Sequence, residues 1–206
     1  MIRTKPIQGV SYNVPTSIDD ISIGRFIEFR NIDPNNNLDL AHWIINAKPT
    51  FKDSDTIEME LTNLFALAEP ALNEMYEFMN SKQKNDIPDS IEILGSHFKM
   101  KKGLLNDLPY WPYVIAKKII IEEAKKDVFD PTDAYPRVLA HYLYNFTTGK
   151  EYTEKRAEEY IDVINDIPMK PAIQLGNFFL KKQQNLFPQS KSSLKAKSIR
   201  NTLRLV

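Results

Sequence analysis

Three histidines and several paired carboxylates are the side chains here that could do acid–base or metal chemistry. Their spacing argues against both. His42, His97 and His141 fall in separate predicted elements, none of them in HxxxH or HExxH spacing, whereas a metal site needs ligands that converge. Asp19-Asp20, Glu122-Glu123 and Glu158-Glu159 read as solvated faces or helix caps, because paired acids do acid–base work only inside a cleft. His141, within YPRVLAHYLY, reads as a packed or boundary residue. No GxSxG signature is present, and the absence of cysteine removes disulfides, thiolate metal sites and a thiol nucleophile. The 6 glycines stand singly, so neither a GxGxxG nor a GK[ST] phosphate loop can form. The reading expects no catalytic residue, no cofactor and no metal.

Charge distribution says more. The whole chain is neutral, yet Phe187 to Val206 holds Lys191, Lys195, Lys197, Arg200 and Arg204 without one Asp or Glu. Residues 1–186 therefore carry the compensating acid. A basic, Ser-rich arm on an acidic body suggests an anionic partner or a neighbouring copy. Leu194, Ile199 and Leu203 among the cations favour docking on protein, while a solubilising tail and a nucleic-acid contact stay open. The body offers an acidic receptor face in Glu151, Glu154, Glu158, Glu159, Asp162 and Asp166, diluted only by Lys155 and Arg156. Tail-to-neighbour docking of this kind builds rings, with Arg200 and Arg204 meeting that face.

Leu108-Pro109-Tyr110-Trp111-Pro112-Tyr113 places three aromatics around two prolines. Read as a stiff loop, it presents Tyr110, Trp111 and Tyr113 to a partner, or it staples the following helix to the core.

The elements that must position these residues are mostly helices. Helical spacing and caps predict a short helix capped by Asp20 or Ser22, another over about 38–47, and a long one over 54–82. The long helix buries Ile57, Leu61, Leu64, Phe65 and Ala68, is broken or kinked by Pro70, and continues with Leu72, Met75, Tyr76 and Met79. Further helices are predicted at 112–127, 132–146, from Thr153 onward through Ile164, and after Pro168 to Leu186. On the last, one of the adjacent Phe178 and Phe179 packs inward and the other outward. A hairpin over 90–101 turns at Gly95-Ser96, and a strand at 9–14 joins it as a third. The expected fold is mainly α: one domain over 1–186 with a small antiparallel sheet, then the extended arm 187–206. With 42% hydrophobic and 26% charged residues, a soluble globular chain is expected. Its amino terminus lacks a signal-like apolar run, and its apolar clusters are too short to span a bilayer.

The segment from Tyr135 to Gln183, with YPRVLA, GKEYTEKRAEEYIDVINDIPM and AIQLGNFFLKK, resembles small proteins encoded in the head–tail gene blocks of tailed bacteriophages. TSIDDISIGRFIEFRNI near the amino terminus and the central β element are similar to those proteins too. The resemblance implies a virion component near the connector or tail, made in the host cytoplasm, or a tail-assembly chaperone that binds the tape-measure protein. It carries over no active-site residues. The expectation is a non-enzymatic virion protein whose partners are further copies of itself and other virion proteins, with nucleic acid as the alternative partner of the arm and no membrane.

Overall fold

The structure, a computed structural model, describes residues 1–4, 10–33, 35–47, 54–100, 110–126 and 130–186. It is mainly α, with two separate two-stranded antiparallel sheets. The chain divides into two compact units: residues 1–82 with Pro168–Lys170, and residues 83–167 with 171 onward.

In the first unit, β1 (Ile2–Arg3) pairs with β2 (Asn13–Val14), Ile2 opposite Val14. The Thr4 N–H donates to the Tyr12 carbonyl, and Thr4 Oγ1 accepts the Tyr12 N–H, both at 2.9 Å. This pairing corrects the expected three-stranded sheet. The 9–14 segment finds its partner within a dozen residues, where loop closure costs least, and not in the distant hairpin. A capping box of Ser17 and Asp20 starts the 3₁₀ turn Ile18–Asp20, and Ser22 caps α1 (Ile23–Arg30) through the Arg25 N–H. Asn36 caps α2 (Asn37–Ile45), which Asn46 ends in the left-handed region at φ 51°. Trp43 Nε1–H donates to the Arg25 carbonyl at 2.7 Å, and the Arg25 guanidinium lies over the indole and donates to the Trp43 carbonyl. α1 and α2 are thus locked by one reciprocal pair.

α3 (Ser54–Asn80) runs unbroken through Pro70. Pro70 is exposed, as is Ala66, whose carbonyl the missing N–H would have bonded, so water can take over that acceptor. The buried stripe is Leu64, Ala68, Ala71, Met75 and Phe78, packed on α2, β2 and the 3₁₀ turn. Beyond Pro70 the core side is Ala71 and Phe78, whereas the expected Leu72 and Met79 are half-buried and Tyr76 points outward.

In the second unit, β3 (Ser90–Ile93) and β4 (Ser96–Lys99) form the expected hairpin, burying Ile91 and Ile93. Its turn is Leu94-Gly95, one residue earlier than expected, with φ 51° and 73°. Positive φ at both central positions is the type I′ pattern, one of the two that match strand twist, and it favours Gly at the second. The helices α4 (Tyr110–Glu123), α6 (Glu154–Glu158) and α7 (Ile161–Asn165) pack on α5 (Tyr135–Thr148), which is buried along most of its length and ends at Gly149, φ 66°. Thr153 caps α6 as expected, but the single predicted helix is two. At their corner Tyr160 meets Tyr144 edge-on, and its hydroxyl lies 2.9 Å from Thr147 Oγ1. In α8 (Met169–Leu186), Phe179 stacks on Tyr142 at 4.0 Å while Phe178 is half-exposed, as the sequence suggests.

Candidate interaction surfaces

Pro112 sits in the first turn of α4, where a missing N–H costs nothing, so Tyr110 to Tyr113 are helical and not a loop. That corrects the stiff-loop reading and separates the three aromatics by their angles round the helix. Tyr110 and Trp111 are 72% and 65% exposed, with their rings edge-on at 6.0 Å. The Tyr113 hydroxyl is shielded from water, and burial, then the neighbouring Tyr110, pushes its pKa up. Tyr113 therefore belongs to the packed side. Tyr110, Val114 and Ile121 fall on one face over three turns, and Ile121 is exposed as well. A helix apolar on its outer face as well as its core face is suited to a partner.

The acidic segment is less uniform than its composition suggests. Glu151, Glu154, Glu159, Asp162 and Asp166 are exposed. Glu158 is turned inward: its Oε1 lies 3.2 Å from His141 Nε2 and 3.4 Å from Arg137 Nη2. On the other side of the ring, His141 Nδ1 lies 2.8 Å from the Tyr152 hydroxyl. The His141 side chain has 0% exposure. Burial lowers its pKa further than Glu158 raises it, so the neutral ring, accepting from Tyr152 and donating to Glu158, is the favoured form. Partial burial pushes the Glu158 carboxyl up, but the hydrogen bond from His141 and the charge of Arg137 hold it below its ordinary value. Burial and the nearby Glu154 and Glu158 push Tyr152 up to about 12.

A hydroxyl, an imidazole and a carboxylate in a line have the order of a nucleophile relay. Here it ties α5 to the segment around α6, with the imidazole wholly buried between its two partners. Sequence reasoning found His141 as packed but missed its partners, which lie 11 and 17 residues away.

His42 is half-buried on α2, and His97 is exposed on β4, 3.7 Å from Glu92 across the strand pair. Among the described residues no group of three or more His, Asp or Glu converges as metal ligands do, and no helix is long and apolar enough to cross a membrane. Lys191, Leu194, Lys195, Lys197, Ile199, Arg200, Leu203 and Arg204 lie outside the described residues, as do Leu108 and Pro109. Two exposed apolar residues carried no weight in the sequence as surface features: Leu94 at the hairpin tip, 79% exposed, and Tyr76 on α3, 72% exposed. The sign for Leu94 was the Gly that follows it. Comparison of the chain with protein-family models, with curated proteins and with solved structures finds no match.

Proposed function

We propose that this is a non-enzymatic bacteriophage structural protein of the head–tail connector or tail region, acting through repeated protein–protein contacts with copies of itself and with other virion proteins. The observation that carries the assembly part is the pair Tyr110 and Trp111. Large amphipathic rings held in water by a helix lose little rotamer freedom on docking, and such residues dominate binding energy at interfaces. The phage setting is supported by the order of segments, from TSIDDISIGRFIEFRNI through the central hairpin to AIQLGNFFLKK. The lysine- and arginine-rich segment 187–206 supplies a second contact, to an acidic surface of a neighbouring copy.

Mass spectrometry of purified particles tests the setting: stoichiometric detection supports a virion component. Abundance in infected cells with absence from particles would replace it with a tail-assembly chaperone. Light scattering tests the contact. Tyr110→Ala with Trp111→Ala should weaken assembly by about 30-fold or more if the pair forms a hot spot. An unchanged mass across dilution would remove the aromatic pair from the interface. DNA binding that weakens by about 500-fold from 50 to 200 mM salt, as five phosphate contacts would require, would turn the basic segment to nucleic acid instead.

A further inference from the structure

We infer that the surface that receives the basic 187–206 segment of a neighbouring copy is α3, and not α6–α7. The inference rests on the assembly reading above and names the partner surface within it.

Charge is the first argument. From Ser54 to Asn80 the chain holds Asp55, Glu58, Glu60, Glu69, Glu74 and Glu77 and no Lys or Arg at all. Among the described residues no other helix carries so large a net charge. The 187–206 segment is its complement, five cations without an acid. The α6–α7 segment is weaker on both counts. Glu158 is already engaged by His141 and Arg137, Glu159 lies 3.8 Å from Lys155, and exposed Lys155 and Arg156 would repel an incoming cation. On α3, Glu74 is used internally: its Oε2 accepts the Ile18 N–H at 2.8 Å and the Ser17 hydroxyl at 3.1 Å. Glu69 and Glu77 are exposed and form no ion pair among the described residues.

Apolar surface is the second. Beside its buried stripe, α3 carries Leu61, Phe65 and Leu72, all half-exposed, and Tyr76, 72% exposed. At 100° per residue these four fall within a band about 60° wide, bordered by Glu69. A second copy of α3 would bring like charges together, so this band does not suit self-pairing. The 187–206 segment matches it in both respects, since Leu194, Ile199 and Leu203 are interleaved with the cations. Length permits the match. The band from Leu61 to Tyr76 is about 22 Å long, and a 20-residue segment reaches up to roughly 70 Å when extended.

Zero-length carbodiimide coupling of the full-length protein, on a mixture of ¹⁴N- and ¹⁵N-labelled chains, reads the contact directly. The expected products are amides joining Lys195 or Lys197 to Glu69 or Glu77, in peptides that mix the two isotopes. Glu69→Lys with Glu77→Lys, and separately Arg200→Glu with Arg204→Glu, should each weaken assembly by about tenfold at low salt, as two exposed ion pairs allow. The four changes together should recover most of the loss. Mixed-isotope coupling to Glu151, Glu154, Glu159 or Asp162 instead would overturn the assignment to α3 while leaving self-assembly intact. Coupling confined to one isotope would overturn docking between copies. A full-length protein that stays monomeric by light scattering would remove the assembly reading itself.

Discussion

His141 shows how one buried side chain ties stability to pH. Its folded pKa lies below the ordinary 6.5, so the unfolded chain takes up a proton first as pH falls. The His141 contribution is therefore complete above about pH 6.5 and declines below it, down to the lowered folded value. Glu158 acts in the same direction at lower pH. Its contribution is present above its ordinary 4.5 and is lost as pH falls through its depressed folded pKa. Melting temperature should drop between pH 7 and 5 in the native protein, and His141→Gln, which cannot titrate, should flatten that drop. Parallel profiles for the two proteins would assign the acid sensitivity elsewhere. Gly176 makes a second residue-scale case. A Cβ there would run into the buried Tyr135 ring, and the ring is held because its hydroxyl donates to Asn177 Oδ1. Asn177 in turn donates to the Lys84 carbonyl at 2.8 Å. Gly176→Ala should cost about 1–3 kcal/mol, read as a lower denaturation midpoint. A change under about 0.5 kcal/mol, the level of an inert surface site, would show that the helix can slide aside.

At the scale of elements, the hairpin holds a conflict between turn geometry and residue type. Leu94 occupies a left-handed position, which costs a side chain with Cβ roughly 1–2 kcal/mol unless it is Asn, Asp or Gly. Its side chain is almost fully in water, so little packing is lost on replacing it. Leu94→Asn should raise stability by about 0.5–1 kcal/mol in chemical denaturation. A loss would mean that the leucine packs in a way its exposure conceals. Two helix starts were legible because their signals are local: Ser22, one of two candidates, and Thr153 cap where they stand in the chain. The corner between α6 and α7 was not. No Pro or Gly marks it, and Tyr160 is held there by Tyr144 and Thr147 of another helix.

For the whole molecule, the two units share the chain in an interleaved way. Pro168–Lys170 belongs to the first unit although both its flanks belong to the second. Ser22 bridges Pro168, and Met169 donates its N–H to the Ile21 carbonyl at 2.8 Å. Both bonds lie inside the first unit, which the chain completes only after passing through the second, so residues 1–186 should melt in a single calorimetric transition, with the calorimetric and van't Hoff enthalpies equal. Two transitions, or early proteolytic cuts spread through 112–180, would divide the chain into independent domains. Proteolysis should instead cut first beyond Leu186.

The mainly α class, two of the helix caps, the hairpin and the separation of acid from base follow from the sequence alone. Each depends on residue type within a window of a few turns, or on composition. Tertiary structure decided which of several equally apolar neighbours faces water. Tyr110 and Trp111 are out while the Tyr113 hydroxyl is in, and Tyr76 is out while Met75 and Phe78 are in. It also turned Glu158 from a surface acid into the partner of a buried histidine. The reason is physical: periodicity defines an apolar band, but burial within it depends on helices that arrive from far along the chain. Hydrogen-bond partners such as Tyr152, His141 and Glu158 meet only once those helices have packed.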